Sequence, residues 1–147
     1  MMKYAKFFIV GLILVGLSAS PLSSALFHHE KSVSKEPLNL VVVWTSGDRE
    51  VALKMVYMYV TNAKKYHWWD NIRFIVWGPS SKLLSEDEEL QKEIQKMKEV
   101  GVELFACKAC ADMYGVSNKL SDLGIEVKYM GKDLTDMLQN GWMPLTF

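Results

Sequence analysis

Leu38-Asn39-Leu40-Val41-Val42-Val43-Trp44 is the stretch that decides the fold. It is almost continuously apolar and rich in β-branched residues, without the alternation of a half-exposed strand. A strand of this kind is buried on both faces, the place it takes inside a parallel sheet. Thr45-Ser46-Gly47-Asp48 then breaks it with turn residues. A helix is predicted from about Arg49 to Lys65, with Asp48 as its cap. Its apolar stripe is Val51, Met55, Met58 and Tyr59, widened by Val56 and Val60.

The same alternation continues along the chain. Tyr66, His67, Trp68 and Trp69 make an aromatic loop, read as cover for a sheet edge or a subunit interface. Ile72 to Trp77 is a second strand, stopped by Gly78-Pro79. After a short helical piece from Pro79 to Leu84, Ser85-Glu86-Asp87-Glu88 matches a capping box with Ser85 at the cap. The helix it opens runs to about Val100 and buries Leu90, Ile94, Met97 and Val100. Its acidic first turn and its late Lys96 and Lys98 suit the helix dipole, and Gly101 stops it. Val102 to Ala106 is a third strand, and Ala111 to Leu123 reads as a helix ended by Gly124. Ile125 to Met130 alternates as a half-exposed fourth strand, with Gly131 as its turn. Leu134 to Asn140 is a short helix, and Trp142 to Phe147 a last strand that Pro144 marks as lying at an edge or as irregular. The order β-α-β-α-β-α-β-α-β predicts an α/β fold, a three-layer α/β/α domain with a mostly parallel five-stranded sheet. In such sheets ligands bind in the crevice at the carboxyl ends of the strands. Four such ends fall at Trp44 to Asp48, Trp77 to Ser80, Ala106 to Lys108 and Tyr129 to Gly131.

On that edge lies Cys107-Lys108-Ala109-Cys110, which holds the only two cysteines of the chain. Cys107 falls at or near the start of a helix, where free N–H groups and the dipole favour a thiolate. Lys108 adds a nearby positive charge, which Asp112 opposes if it faces the same side. A sulfur so placed can carry a persulfide, exchange disulfides or ligate a metal; the plainer alternative is a pair of buried, inert residues. Zinc takes roughly three or four protein ligands. With one C-x-x-C, and His67 as the domain's only histidine, metal is the weakest option. Disulfide exchange is stronger, since C-x-x-C at a helix start is the thioredoxin arrangement. The uniformly parallel order and the lack of a suitably placed proline argue against a thioredoxin fold. Ser46 and Asp48, at the end of the first strand, are candidate supporting residues, although an aspartate there often does no more than cap a helix. No Ser/His/Asp pattern or phosphate-binding glycine loop is visible. No cofactor is indicated.

The wider composition sets the frame. Apolar residues make up 50% and charged residues 23% of the 147, ordinary for a globular domain. Lys+Arg and Asp+Glu are both 17, which argues against nucleic acid or an anionic membrane as partner. Lys3 and Lys6, the apolar run Phe7 to Leu17, and Ser23-Ser24-Ala25 make an export signal over residues 1–25, with cleavage after Ala25. The run is short of the about 20 residues of a spanning helix, and the absence of a following cysteine excludes a lipoprotein anchor. The alternative is an uncleaved signal anchor, the one route to a membrane. Residues 26–37 read as a flexible leader in which His28-His29 is an exposed pair. Residues 38–147 form the domain, and the expected location is periplasmic or extracellular.

Residues 38–147 resemble the DsrE/DsrF-like family of small sulfur-relay proteins. The resemblance is carried by Val43-Trp44-Thr45-Ser46-Gly47-Asp48 and by Phe105-Ala106-Cys107-Lys108-Ala109-Cys110-Ala111-Asp112. The spacing from Cys107 to Gly115-Val116 and the closing Leu145-Thr146-Phe147 add to it. It implies a parallel α/β/α domain assembling into trimers or hexamers. It also implies a cysteine after the third strand that accepts sulfur as a persulfide from a donor and passes it to an acceptor protein. Cys107 matches that cysteine. Cys110 has no counterpart in several members and is expected to resolve a Cys107 persulfide or to form a local disulfide. The expected function is an exported persulfide carrier or relay, a sulfurtransferase or sulfur carrier. A thiol–disulfide redox protein using the C-x-x-C pair is one alternative, and a non-catalytic oligomeric binding protein another.

Overall fold

The computed structural model describes residues 36–147. The expected export segment, the His28-His29 pair and all but the end of the leader lie outside the described residues. Five strands, β1 (Asn39–Trp44), β2 (Asn71–Val76), β3 (Glu103–Cys107), β4 (Glu126–Lys128) and β5 (Met143–Thr146), form one sheet in the order β4-β3-β2-β1-β5. Every pairing is parallel. The chain steps from β1 to β4 in one direction and then crosses back to β5. Right-handed crossovers therefore place the first three connections on one face and the last on the other.

Side chains alternate across the sheet accordingly. Leu40, Val42, Trp44, Ile72, Phe74, Val76, Leu104 and Ala106 point to the larger core. Val41, Val43, Ile75, Phe105 and Cys107 point to the smaller one. Covering the larger core are α1 (Arg49–Val51), a π-helical segment (Ala52–Tyr57), α2 (Met58–Lys65), α3 (Pro79–Glu86), α4 (Glu88–Glu99), α5 (Lys108–Met113) and α6 (Ser117–Asp122). The smaller core is covered by α7 (Met130–Gln139), which contributes Met130, Leu134 and Met137. In the larger core Trp44, Tyr57 and Phe74 form an aromatic centre, with ring centroids 5.5, 6.1 and 6.3 Å apart.

Four local expectations need correction. The first helix buries Ala52, Val56, Tyr57, Val60 and Ala63, while Met55 and Met58 are each 56% exposed. Ala52, Val56, Val60 and Ala63 recur at regular four- and three-residue spacing, so the inward stripe lies one position beyond the expected Val51, Met55, Met58 and Tyr59. Ser85 does not cap the fourth helix. It lies inside α3 and donates to the Lys82 carbonyl at 2.8 Å. Asp87, held extended between α3 and α4, accepts from the N–H groups of Glu89 (2.9 Å) and Leu90 (3.1 Å) instead.

The helix expected over Ala111 to Leu123 is two helices, and the first starts at Lys108. Gly115, at φ +68°, ends α5. Val116 N–H reaches the Ala111 carbonyl at 2.9 Å and Gly115 N–H the Asp112 carbonyl at 3.0 Å. Together these bonds form a Schellman stop. Gly131 is not a turn either: α7 begins at Met130 and runs through it. The edge position inferred from Pro144 agrees with β5 as the outer strand beside β1.

Candidate functional site

Cys107 is the last residue of β3 and the N-cap of α5, with extended backbone (φ −70°, ψ 108°). Strand alternation turns it toward the α7 face, where it is 5% exposed. Cys110 is the third residue of α5, half-buried and packed against the same cluster. An N-cap side chain and the side chain three residues on face each other across the first turn, the relation that a capping box uses. Both cysteines are free thiols. The Cys110 thiol is pushed above its ordinary range by burial first and then by hydrogen bonding to Cys107. The backbone N–H of Gly78 pulls it the other way. Gly78 follows β2, the neighbour of β3, and holds φ +71°, a conformation that a β-carbon disfavours. The ends of two adjacent strands thus meet at the sulfurs.

The supporting residues expected from the sequence are placed differently. Lys108 forms an ion pair with Asp112 one turn along α5, and its Nζ lies 5.7 Å from the Tyr129 ring centroid. Asp112, held below the usual carboxylate range by Lys108 and then by Ser117, keeps the ammonium occupied. The lysine charge is therefore spent on Asp112, and α5 is only six residues long, so few aligned peptide dipoles stand behind the thiols. Ser46 and Asp48 stand at the end of β1, with β2 between them and β3. Asp48 Oδ1 accepts from the N–H groups of Glu50 (2.8 Å) and Val51 (3.1 Å), and Ser46 Oγ accepts from Asp48 N–H at 3.1 Å. Asp48 caps α1 and Ser46 holds the N–H of Asp48, and among the described residues no hydrogen bond joins either to the cysteines.

Three neighbours escape a sequence reading of the site. They are Gly78, Trp77, which packs against the smaller core, and Tyr129, which is 68% exposed beside Lys108. Each sits at a strand end that the sequence places on the carboxyl edge, so their positions were available while their contacts were not. Met113, the last residue of α5, is 85% exposed, and Tyr114, which follows it, is 43% exposed and lines a surface pocket with Pro79, Lys82 and Leu83. Toward the amino ends of the strands, the same face opens into a cleft of about 430 Å³. Arg73 lies 4.5 Å from the Trp142 ring centroid there, and Lys128 4.6 Å from that of Phe105. Among the described residues there is no group of three or more side chains suited to hold a metal ion, and no helix long and apolar enough to cross a membrane.

The profile of the DsrE/DsrF-like family matches residues 27–147. A conserved protein of unknown function from Bacteroides thetaiotaomicron is 38% identical with a TM-score of 0.72, the alignment covering 74% of this chain and 94% of that one. The ychN protein from E. coli is 15% identical with a TM-score of 0.55, over 75% of this chain and 100% of its own. A protein of unknown function from Methanobacterium thermoautotrophicum is 17% identical with a TM-score of 0.57, over 75% and 99%. These last two share the fold. No curated protein matches.

Proposed function

Because the chain belongs to the DsrE/DsrF-like family, we propose that it is an exported sulfur carrier in which Cys107 accepts sulfur as a persulfide. The observation that carries this reading is the meeting of two free thiols at the carboxyl end of β3, on the face that α7 covers. A donor persulfide gives its outer sulfur to Cys107, forming Cys107–S–SH and leaving the donor as a thiol. Burial of Cys107 shields its sulfur from water and bulk thiols, and Cys110 is the more exposed of the two. The exposed Tyr129, beside Lys108, and the exposed Met113, at the end of the helix that carries Cys110, suit a protein that delivers or removes the sulfur. Export rests on the basic, apolar and small-residue succession of residues 1–25. Self-association is supported by Met55, Met58, Tyr66 and Trp68, which are all more than half exposed on one side of the first helix and its loop.

The test is intact-mass measurement of the reduced protein after exposure to inorganic polysulfide. The wild-type chain gains whole sulfur atoms, and Cys107→Ser gains none. A Cys107→Ser chain that loads like wild type overturns the assignment. For export, N-terminal sequencing of the protein recovered from its producing cells reads a start after Ala25; a start at Met1 refutes cleavage.

A further inference from the structure

The two thiols do more than sit side by side. Cys107 is the N-cap of α5 and Cys110 its third residue, so both sulfurs lie on one side of a single turn, in one apolar cluster. A C-x-x-C pair across the first turn of a helix has the backbone spacing at which a disulfide can close. Gly78, at the end of β2 with φ +71°, brings its backbone N–H to Cys110, where it opposes the upward shift that burial gives the thiol. An N–H donor at that sulfur stabilises negative charge on it, as the attacking member of a thiol exchange requires.

We propose that Cys110 discharges the Cys107 persulfide by closing a Cys107–Cys110 disulfide and releasing sulfide, an activity that rests on the carrier reading above. The step balances as Cys107–S–SH plus Cys110–SH giving Cys107–S–S–Cys110 plus H₂S. The Cys110 sulfur attacks the inner sulfur of the persulfide, and the S–S bond to the outer sulfur breaks. The outer sulfur leaves with the bond's electron pair and takes up the Cys110 proton. The sulfane sulfur is reduced by two electrons and the two cysteine sulfurs are oxidised to the disulfide. A further turnover needs an external dithiol to reopen that bond, which places the chain between a sulfane-sulfur donor and a dithiol reductant. Burial and then Cys107 push the Cys110 thiol up while the Gly78 N–H pulls it down, so discharge quickens as pH rises.

The experiment loads reduced full-length protein with inorganic polysulfide, removes the donor by gel filtration, and follows free sulfide and non-reducing intact mass over time. In the wild-type chain the sulfur adduct gives way to a species two hydrogens lighter than the reduced protein, with sulfide released in proportion. Cys110→Ser and Cys110→Ala keep the adduct and release sulfide slower by about tenfold or more, because the intramolecular attacker is gone. Release from both variants at the wild-type rate overturns the discharge step, and so does a wild-type adduct that persists without a disulfide; the carrier reading survives either result. No adduct on any chain overturns both.

Discussion

Phe74 on β2 and Phe105 on β3 are aromatic residues on neighbouring strands, and they point to opposite faces of one sheet. Phe74 is fully buried between Trp44 and Tyr57, under the first three helical connections. Phe105 lies under α7 and lines the open cleft, with Lys128 and Arg73 near its ring. The difference follows from the sheet order. Three successive steps in one direction crowd one face with helices, and a single return leaves the other thinly covered. Packing on the crowded face serves stability. The thin face leaves room for charge, for a cleft and for two thiols, and the proposed sulfur chemistry belongs to that face.

Replacing the same residue type on the two faces tests this contrast most strongly. Phe74→Ala is expected to cost about 3–5 kcal/mol. Phe105→Ala is expected to cost less, about 2 kcal/mol, because its ring already borders open space. Urea unfolding of both variants measures the difference, and equal losses break the asymmetry.

On the crowded side, Asp87→Ala is expected to cost about 1 kcal/mol through loss of the α4 cap, and Ser85→Ala less. Its hydrogen bond to Leu90 N–H, followed by its bond to Arg49, holds Asp87 below the usual carboxylate range. Its contribution is therefore present above the unfolded-state value and is lost as pH falls through the lower folded-state value. Asp87→Asn should flatten that acid limb in a stability profile taken by urea unfolding at a series of pH values. An unchanged limb would remove Asp87 from the account.

The thin face has its own pH signature. Cys110 titrates above an ordinary thiol, so its alkylation rate keeps rising at pH values where a free thiol has levelled off. Cys107→Ala removes one of the two main raising causes and leaves the Gly78 amide in place, so the profile moves down in pH. A profile that stays put means the two sulfurs do not communicate. The smallest effect is expected outside both cores. Met58→Lys should change single-chain stability by no more than about 0.5 kcal/mol while weakening self-association in sedimentation; unchanged association would remove this face from any interface.

Much of the fold was legible because its signals are local. The run ending in Trp44 announced a buried strand, and Gly101 and Gly124, both left-handed, ended elements where expected. The inward face of the first helix was not legible. Ala52, Val56 and Val60 are apolar, but so are Met55 and Met58, and hydrophobicity alone does not choose between two neighbouring stripes of one helix. Nor was the break at Gly115, since a glycine inside a helical pattern marks a stop only when the residues around it close the Schellman bonds. For the site, the carboxyl-edge position of Cys107 and Cys110 could be read from alternation alone. The pairing of Lys108 with Asp112, the capping duty of Asp48 and the approach of Gly78 to Cys110 depend on side-chain directions and on strand order, which one sequence does not display.

Lys108 separates the two thiols in the sequence, so trypsin cleavage after it places Cys107 and Cys110 on different peptides. The most direct test of the central claim is peptide mass mapping of the Cys110→Ser chain after a brief polysulfide exposure, alkylation and digestion. The extra sulfur is expected on the peptide that ends at Lys108. A Cys110→Ser chain that carries no sulfur there, together with a wild-type chain whose sulfur lies on the peptide that begins at Ala109, would contradict Cys107 as the accepting atom.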